Sequence, residues 1–255
     1  MATVGCVTLE TERVERSRSS RLAATNAAAW WTELARARGH ALIQRPGYFW
    51  VPGSVRAGLR IMVTSEELDQ AELASLAASW PADSKLTVED PFNVLDLSGI
   101  GLRPQSLPVM LREPGPVTGA LDADTVTSED EVGEAERVVV DGFPLGRFQP
   151  YRQGECLPFS LTGHPGTAFH LARRDGSPAG ACATFFDGTV GGVYWVGTLP
   201  EHRSRGVGRA IMTSALRDLG DVPATLTATT AGKPLYESLG FRTVSESTWW
   251  WSAAS

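Results

Sequence analysis

Arg203-Ser204-Arg205-Gly206-Val207-Gly208 stands between an apolar run, Val193 to Leu199, and a segment in which Val207, Ile211, Ala215 and Leu219 recur every four residues. A strand that feeds a glycine-bearing turn into a helix aims backbone N–H groups and the positive end of the helix dipole at one point, which suits an anion. Gly206 and Gly208 let the backbone come close. Arg203, Arg205 and Arg209 would bring three guanidinium groups to the same helix start, where they repel one another unless an anion lies between them, and a diphosphate fits. Downstream, Leu235-Tyr236-Glu237-Ser238-Leu239-Gly240-Phe241 offers a phenol. A tyrosine with a pKa of ~10 is matched as a proton donor to a thiolate whose acid titrates at ~8.5 or above. A solvated basic helix end would explain the arginines, but not the glycines and the strand as well.

Other reactive groups read as structural. Cys182 lies in a strand-like run with no histidine beside it in sequence, so a buried core thiol is expected rather than an acyl-carrying nucleophile. His202 is expected in a surface loop, and His40, His164 and His170 lack metal-ligand spacing. Among eight tryptophans, Trp249-Trp250-Trp251 with Tyr194 and Trp195 could form a cation cage, but alternation along a strand puts Trp249 and Trp251 on one face and Trp250 on the other, as in core packing.

The elements that must position these groups are legible from residue 117 onward. Ser128-x-x-Glu131 is a capping box, and Val132, Ala135 and Val139 continue one apolar helix face. Thr167 to Ala172, Ala179 to Phe186 and Val190 to Leu199 read as strands joined by the hairpin dipeptides Asp175-Gly176 and Asp187-Gly188. Val222 to Ala228, Lys233 to Leu239 and Phe241 to Trp251 complete a strand, a short helix and a last strand. The order strand, helix, three strands, helix, strand, helix, strand gives a mixed sheet flanked by helices. Glu113-Pro114-Gly115-Pro116 marks the boundary with a less regular α+β part. There Leu22, Trp30, Trp31 and Leu34 predict a helix, Ala41 to Val51 and Leu59 to Val63 a hairpin, Leu73, Leu76 and Trp80 a second helix halted by Pro81, and Phe92 to Leu97 a further strand.

These motifs, in this order, resemble the GNAT superfamily of acyl-CoA-dependent acetyltransferases over roughly residues 117 to 250, and the first part resembles the degenerate N-terminal half of tandem members. The resemblance implies a GNAT fold of the α+β class, a mixed and mostly antiparallel sheet flanked by helices, with a degenerate domain at 1–113 and an acyltransferase domain at 117–255. It implies acetyl-CoA as co-substrate, held by Val196, Thr198, Arg203, Ser204, Arg205, Gly206, Val207, Gly208, Arg209 and Thr229. Tyr236 would be the general acid, and the fourth and fifth strands would splay to admit the acyl chain. Many members carry Asn where this chain has Thr229. Many also carry a glutamate on the strand before the cradle, which here reads Gly191-Gly192-Val193-Tyr194-Trp195 with no carboxylate, so the resemblance assigns no general base. Asp187, Glu201 or a water chain are candidates. The backbone N–H of Val196 is a candidate oxyanion donor.

Composition narrows the partners. The chain has 255 residues, a net charge of −6, and only Lys85 and Lys233 as lysines among 23 basic residues, which argues against a broad nucleic-acid surface. The alternation of Glu10, Glu12 and Glu15 with Arg13, Arg16, Arg18 and Arg21 reads as a solvated helix face. Acidic residues from Asp122 to Glu136 mostly fit a helix start, though they could also attract a cationic amine. Cys6, Cys156 and Cys182 are too few and too scattered for a disulfide framework, and no window reaches the ~20 apolar residues of a membrane span. The expectation is a cytoplasmic monomer or homodimer without nucleic-acid or membrane partners, transferring an acetyl group directly to a primary amine of a small molecule. The alternatives are a non-catalytic acyl-CoA-binding regulator, a protein N-acetyltransferase and an O-acyl acceptor.

Overall fold

The computed structural model describes residues 3–81, 83–119, 123–143 and 145–252, and within the first helix it describes side chains from residue 18 on. Cys6, Asp122 and the charges between Glu10 and Arg16 lie outside the described side chains. A helix, α1 (Thr3–Ala37), opens the chain, followed by β1 (Ile43–Arg45), β2 (Tyr48–Val51), β3 (Leu59–Val63), α2 (Gln70–Ser79), β4 (Leu86–Asp90) and β5 (Arg103–Arg112). The second part runs β6 (Asp124–Val126), α3 (Glu129–Gly142), β7 (Thr167–Arg174), β8 (Ser177–Phe186), β9 (Gly191–Thr198), α4 (Val207–Leu219), β10 (Ala224–Thr227), α5 (Lys233–Glu237) and β11 (Arg242–Trp251).

All eleven strands form one sheet in the order β1-β2-β3-β4-β11-β5-β10-β9-β8-β7-β6. Apart from β6, this order is a palindrome: β1 to β4 mirror β7 to β10, and β5 and β11 pair with each other at the centre. The last strand of each part has crossed into the other, so β11 pairs with β4 and β5 pairs with β10. Two connections are parallel, β3 to β4 and β9 to β10, and each is bridged by one helix, α2 or α4.

Side-chain alternation divides the helices between the faces. Leu59, Ile61 and Val63 of β3 and Val88 of β4 bury against α2, with Trp250 in the same cluster. Met62, on the intervening position, packs with Trp30, Trp31 and Leu34 of α1 and with Val132, Ala135 and Val139 of α3. On the far side Ile211, Met212, Ala215 and Leu216 of α4 pack on Cys182, Val193, Ala224 and Leu226. Each fully buried large side chain of this kind contributes roughly 1.5–3 kcal/mol. The capping box at Ser128 and Glu131 is formed, and Asp175 (φ 51°) with Gly176 (φ 79°) makes the tight turn between β7 and β8.

The strands that end the first part differ from expectation, since β4 and β5 both fall outside the expected runs and the expected strand Phe92 to Leu97 does not form. β4 spans Leu86–Asp90, and residues 92 to 97 are a loop. Pro91 interrupts the ladder, Asn93 takes φ 56°, and the Asp90 carboxylate accepts the N–H groups of Phe92 and Leu95, so a turn replaces the expected strand.

Candidate functional site

The β9–β10 junction opens as the resemblance implies. The two strands pair only at Ala224 with Gly191 and Thr225 with Gly192, and beyond those pairs they part. On its other side β9 carries a bulge: its register with β8 shifts between Ala181 and Ala183, setting Trp195 and Val196 against Cys182, and Trp195 has φ 58°. A bulge leaves one residue outside the ladder, and this one falls where the strands diverge.

Gly206 caps α4 in the left-handed conformation (φ 81°), and among the described residues no side chain caps the first N–H groups of that helix. Ser204 before it has φ 57°. Orphan donors at a helix start require water or an anion. A Cβ at Gly208 would come within 3.1 Å of Leu235 and 3.7 Å of the Thr198 hydroxyl, so this glycine lets α4 pack close to α5 and the end of β9.

The arginines do not converge as their spacing suggests. Arg203 donates to the carbonyl oxygens of Thr198 (3.3 Å) and Gly142 (3.0 Å), tying the turn to the end of β9 and the end of α3. Arg209 turns the other way and donates to the Ser238 hydroxyl at 2.7 Å. The backbone oxygen of Arg205 accepts from Arg174 at 3.1 Å. A guanidinium at a helix start satisfies whichever acceptors lie in reach, and here carbonyls and a hydroxyl compete with any ligand. Val196, Thr198, Ser204, Gly206, Val207 and Gly208 do gather along one line from β9 into α4. Thr229 follows β10, and its hydroxyl and carbonyl oxygens both accept from the Gly232 N–H at the start of α5.

Tyr236 is 7% exposed, packs edge-on to Phe241 and belongs to the α4 cluster with Cys182. Burial, with a smaller contribution from Cys182, pushes its phenol well above the ordinary value, so it stays protonated at neutral pH. Cys182 is buried and its thiol is likewise pushed up by burial, which agrees with a core residue.

Of the two carboxylates considered as a base, Asp187 is committed to its turn and Glu201 is exposed. Asp187 accepts from Thr189, Val190 and Asn26 at the closed end of β9. The group that sequence reasoning missed is Glu89 on β4. Its carboxylate is 3% exposed and accepts from Trp31 Nε1 at 3.0 Å and Arg60 at 3.1 Å; burial raises its pKa, while Arg60 and the indole pull it down. Glu89 borders a small cavity on the α1 face, together with Ala27, Tyr194, Thr225, Leu226 and Thr227, directly at the opening of β9 and β10. Tyr194 stacks on Trp30 at 4.9 Å and donates to Asn26 at 2.6 Å. The signal available in sequence was a carboxylate at an alternate position of the apolar run Leu86-Thr87-Val88. Glu136, in the acidic stretch, is a buried anchor: it accepts the N–H groups of Gly154, Cys156 and Leu157 and the Tyr151 hydroxyl.

The comparisons with known proteins agree with this geometry. Residues 165–243 match the family model described as Acetyltransferase (GNAT) domain. Among solved structures, a GCN5-related N-acetyltransferase from Kribbella flavida superposes with a TM-score of 0.62 at 22% identity, over 91% of this chain and 95% of that one. A putative acetyltransferase of the GNAT family from Novosphingobium aromaticivorans gives 0.55 at 20% identity, over 82% and 89% of the two chains. A functionally unknown conserved protein from Staphylococcus epidermidis gives 0.55 at 12% identity, over 84% and 94%. No curated protein matches. The fold is therefore the GNAT fold, an α+β mixed sheet flanked by helices, within which residues 165–243 match the GNAT acetyltransferase domain. Among the described residues no helix is long and apolar enough to cross a membrane.

Proposed function

We propose that the protein transfers an acetyl group from acetyl-CoA directly to a primary amine of a small molecule. The observation that carries this reading is the parting of β9 and β10 after two residue pairs, beside a helix start that no side chain caps. Val196 and Thr198 offer strand backbone to the pantetheine arm, and Ser204, Arg205, Gly206, Val207 and Gly208 offer N–H groups to the diphosphate. Arg203 and Arg209 brace that turn from either side. Bound acyl-CoA supplies an activated thioester and a thiol leaving group.

The chain's own residues supply the rest. The Val196 N–H, next to the bulge, is placed to donate to an oxyanion. Burial keeps the proton of Tyr236 on its Oη at neutral pH, and this phenol is the group that delivers a proton to the departing sulfur. A lysine-like amine costs about 4–5 kcal/mol to deprotonate at neutral pH, so a proton acceptor is needed. Glu89 fills that role, because it lines the cavity at the opening and burial strengthens its carboxylate as a base.

Calorimetry with acetyl-CoA, combined with thiol release over a mixed amine panel, tests the reading. Wild type should bind and turn over, Gly206→Asp should lose binding, and Tyr236→Phe should keep binding and lose turnover. Binding without turnover in wild type, unchanged in Tyr236→Phe, would point to a regulatory acyl-CoA-binding protein instead.

A further inference from the structure

Where the N-terminal part meets the bulged strand, Arg38, His40, Arg60, Lys85 and Arg147 line one cleft closed by Trp195, the bulge residue itself. They arrive from α1, β3, the start of β4 and the segment after α3, so the cleft exists only because both parts share the sheet. The cations are half-buried, and they rest on rings: the Arg60 guanidinium lies 3.5 Å from the Trp31 ring centroid and the Lys85 ammonium 5.1 Å from that of Trp251. Glu89, bonded to Arg60, and Glu136, near Arg38, are carboxylates set against them. Arg147 Nε is buried with no hydrogen-bond partner among the described residues. Burial, then the charges of Arg147 and Arg60, hold the Lys85 ammonium down to about 7. Desolvated like charges repel, and an anion bound among them removes that repulsion and supplies the missing acceptor.

We propose that this cleft recognises the acceptor, and that the acceptor amine carries an anionic group, a carboxylate or a phosphate, which Lys85 and Arg147 hold while the amine reaches the opening beside Tyr194 and Trp195. This rests on the acyl-transfer reading, in that the cleft and the Glu89 cavity share the α1 face of the site. It excludes simple cationic amines as preferred acceptors, despite the acidic start of α3.

The test uses full-chain protein saturated with CoA, so that the α4 cradle is filled. Titration with inorganic phosphate should show binding to wild type that weakens about tenfold or more in Arg147→Gln and in Lys85→Gln, while acetyl-CoA affinity and the unfolding midpoint hold in at least one of the two. Thiol release is then compared for phosphoethanolamine, β-alanine and ethanolamine. Preference for either anionic amine, with its KM raised in the variants, supports the proposal, and the better of the two names the anion. No phosphate binding, or equal binding in wild type and both variants, overturns it. Ethanolamine used as well as the anionic amines also overturns it, and leaves the acyl-transfer reading standing. Variant-sensitive phosphate binding without turnover of any amine would keep the anion site and sink the transfer reading.

Discussion

The turn after β3 and the turn after β9 hold equivalent places in the palindromic sheet, yet they are built in opposite ways. In the first, Asp69 caps α2 with its own carboxylate, accepting the Glu72 N–H at 2.9 Å, and Glu66 and Glu67 add negative charge. In the second, glycine caps α4 and arginines flank it. Strands β3 and β4 pair at four positions, Leu59 to Met62 with Leu86 to Glu89, where β9 and β10 pair at two. Local irregularity is concentrated in one half, where a bulge, a parting of strands and an uncapped helix coincide. The other half is the more regular, and its helix start is already satisfied. On the proposed reading it contributes instead groups that would face the acceptor, Glu89, Arg60 and Lys85.

The sharpest way to break this contrast is to give α4 the cap that α2 has. Gly206→Asp adds a carboxylate at the cradle and should lower acetyl-CoA affinity by a factor on the order of a thousand, read by calorimetry. Tyr236→Phe should leave that affinity unchanged and cut turnover about a hundredfold or more, because it removes the hydroxyl proposed to protonate the leaving thiolate.

Acid should separate the halves next. His170 on β7 is fully buried beneath α4, with its ring nitrogens facing Ser214 at 3.2 Å and Thr184 at 3.3 Å, and burial holds it down to about 4 although Asp218 pulls it upward. The unfolded chain takes up this proton near ~6.5 and the folded chain does not until about 4. The stabilisation is therefore complete above ~6.5 and is lost as pH falls toward 4, on the order of 2 kcal/mol by pH ~4.5. Urea unfolding at pH 7 and 4.5 should show that loss, and His170→Gln should flatten it. Hydrogen exchange should rise first in α4 rather than α2. The smallest effect is expected from Asp69→Ala, about 1 kcal/mol of stability by urea unfolding, with no acetyl-CoA site gained at α2.

Much of the second half was legible because its signals are local. The capping box at Ser128, the hairpin at Asp175-Gly176 and the four-residue repeat of α4 each report on neighbours within a turn or a strand. The first half was harder: Phe92 to Leu97 has the composition of a strand, but Pro91 and the Asp90 side chain make it a turn. Within the site, the glycines of the cradle could be read from their setting, whereas the directions of Arg203 and Arg209 could not. Long side chains take their partners from whatever the fold brings near, and neither the Gly142 carbonyl nor the Ser238 hydroxyl is close in sequence.

The sequence by itself determined the elements of the second half and their order, and it placed the glycine-bearing turn and Tyr236 among them, since periodicity, caps and turn dipeptides act over a few residues. Only the tertiary structure decided that β5 and β11 change places between the halves, that Glu89 reaches the opening of β9 and β10, and that four separate segments pool their cations beside Trp195. Those outcomes follow from the strand order of one shared sheet, a long-range property that no local pattern encodes.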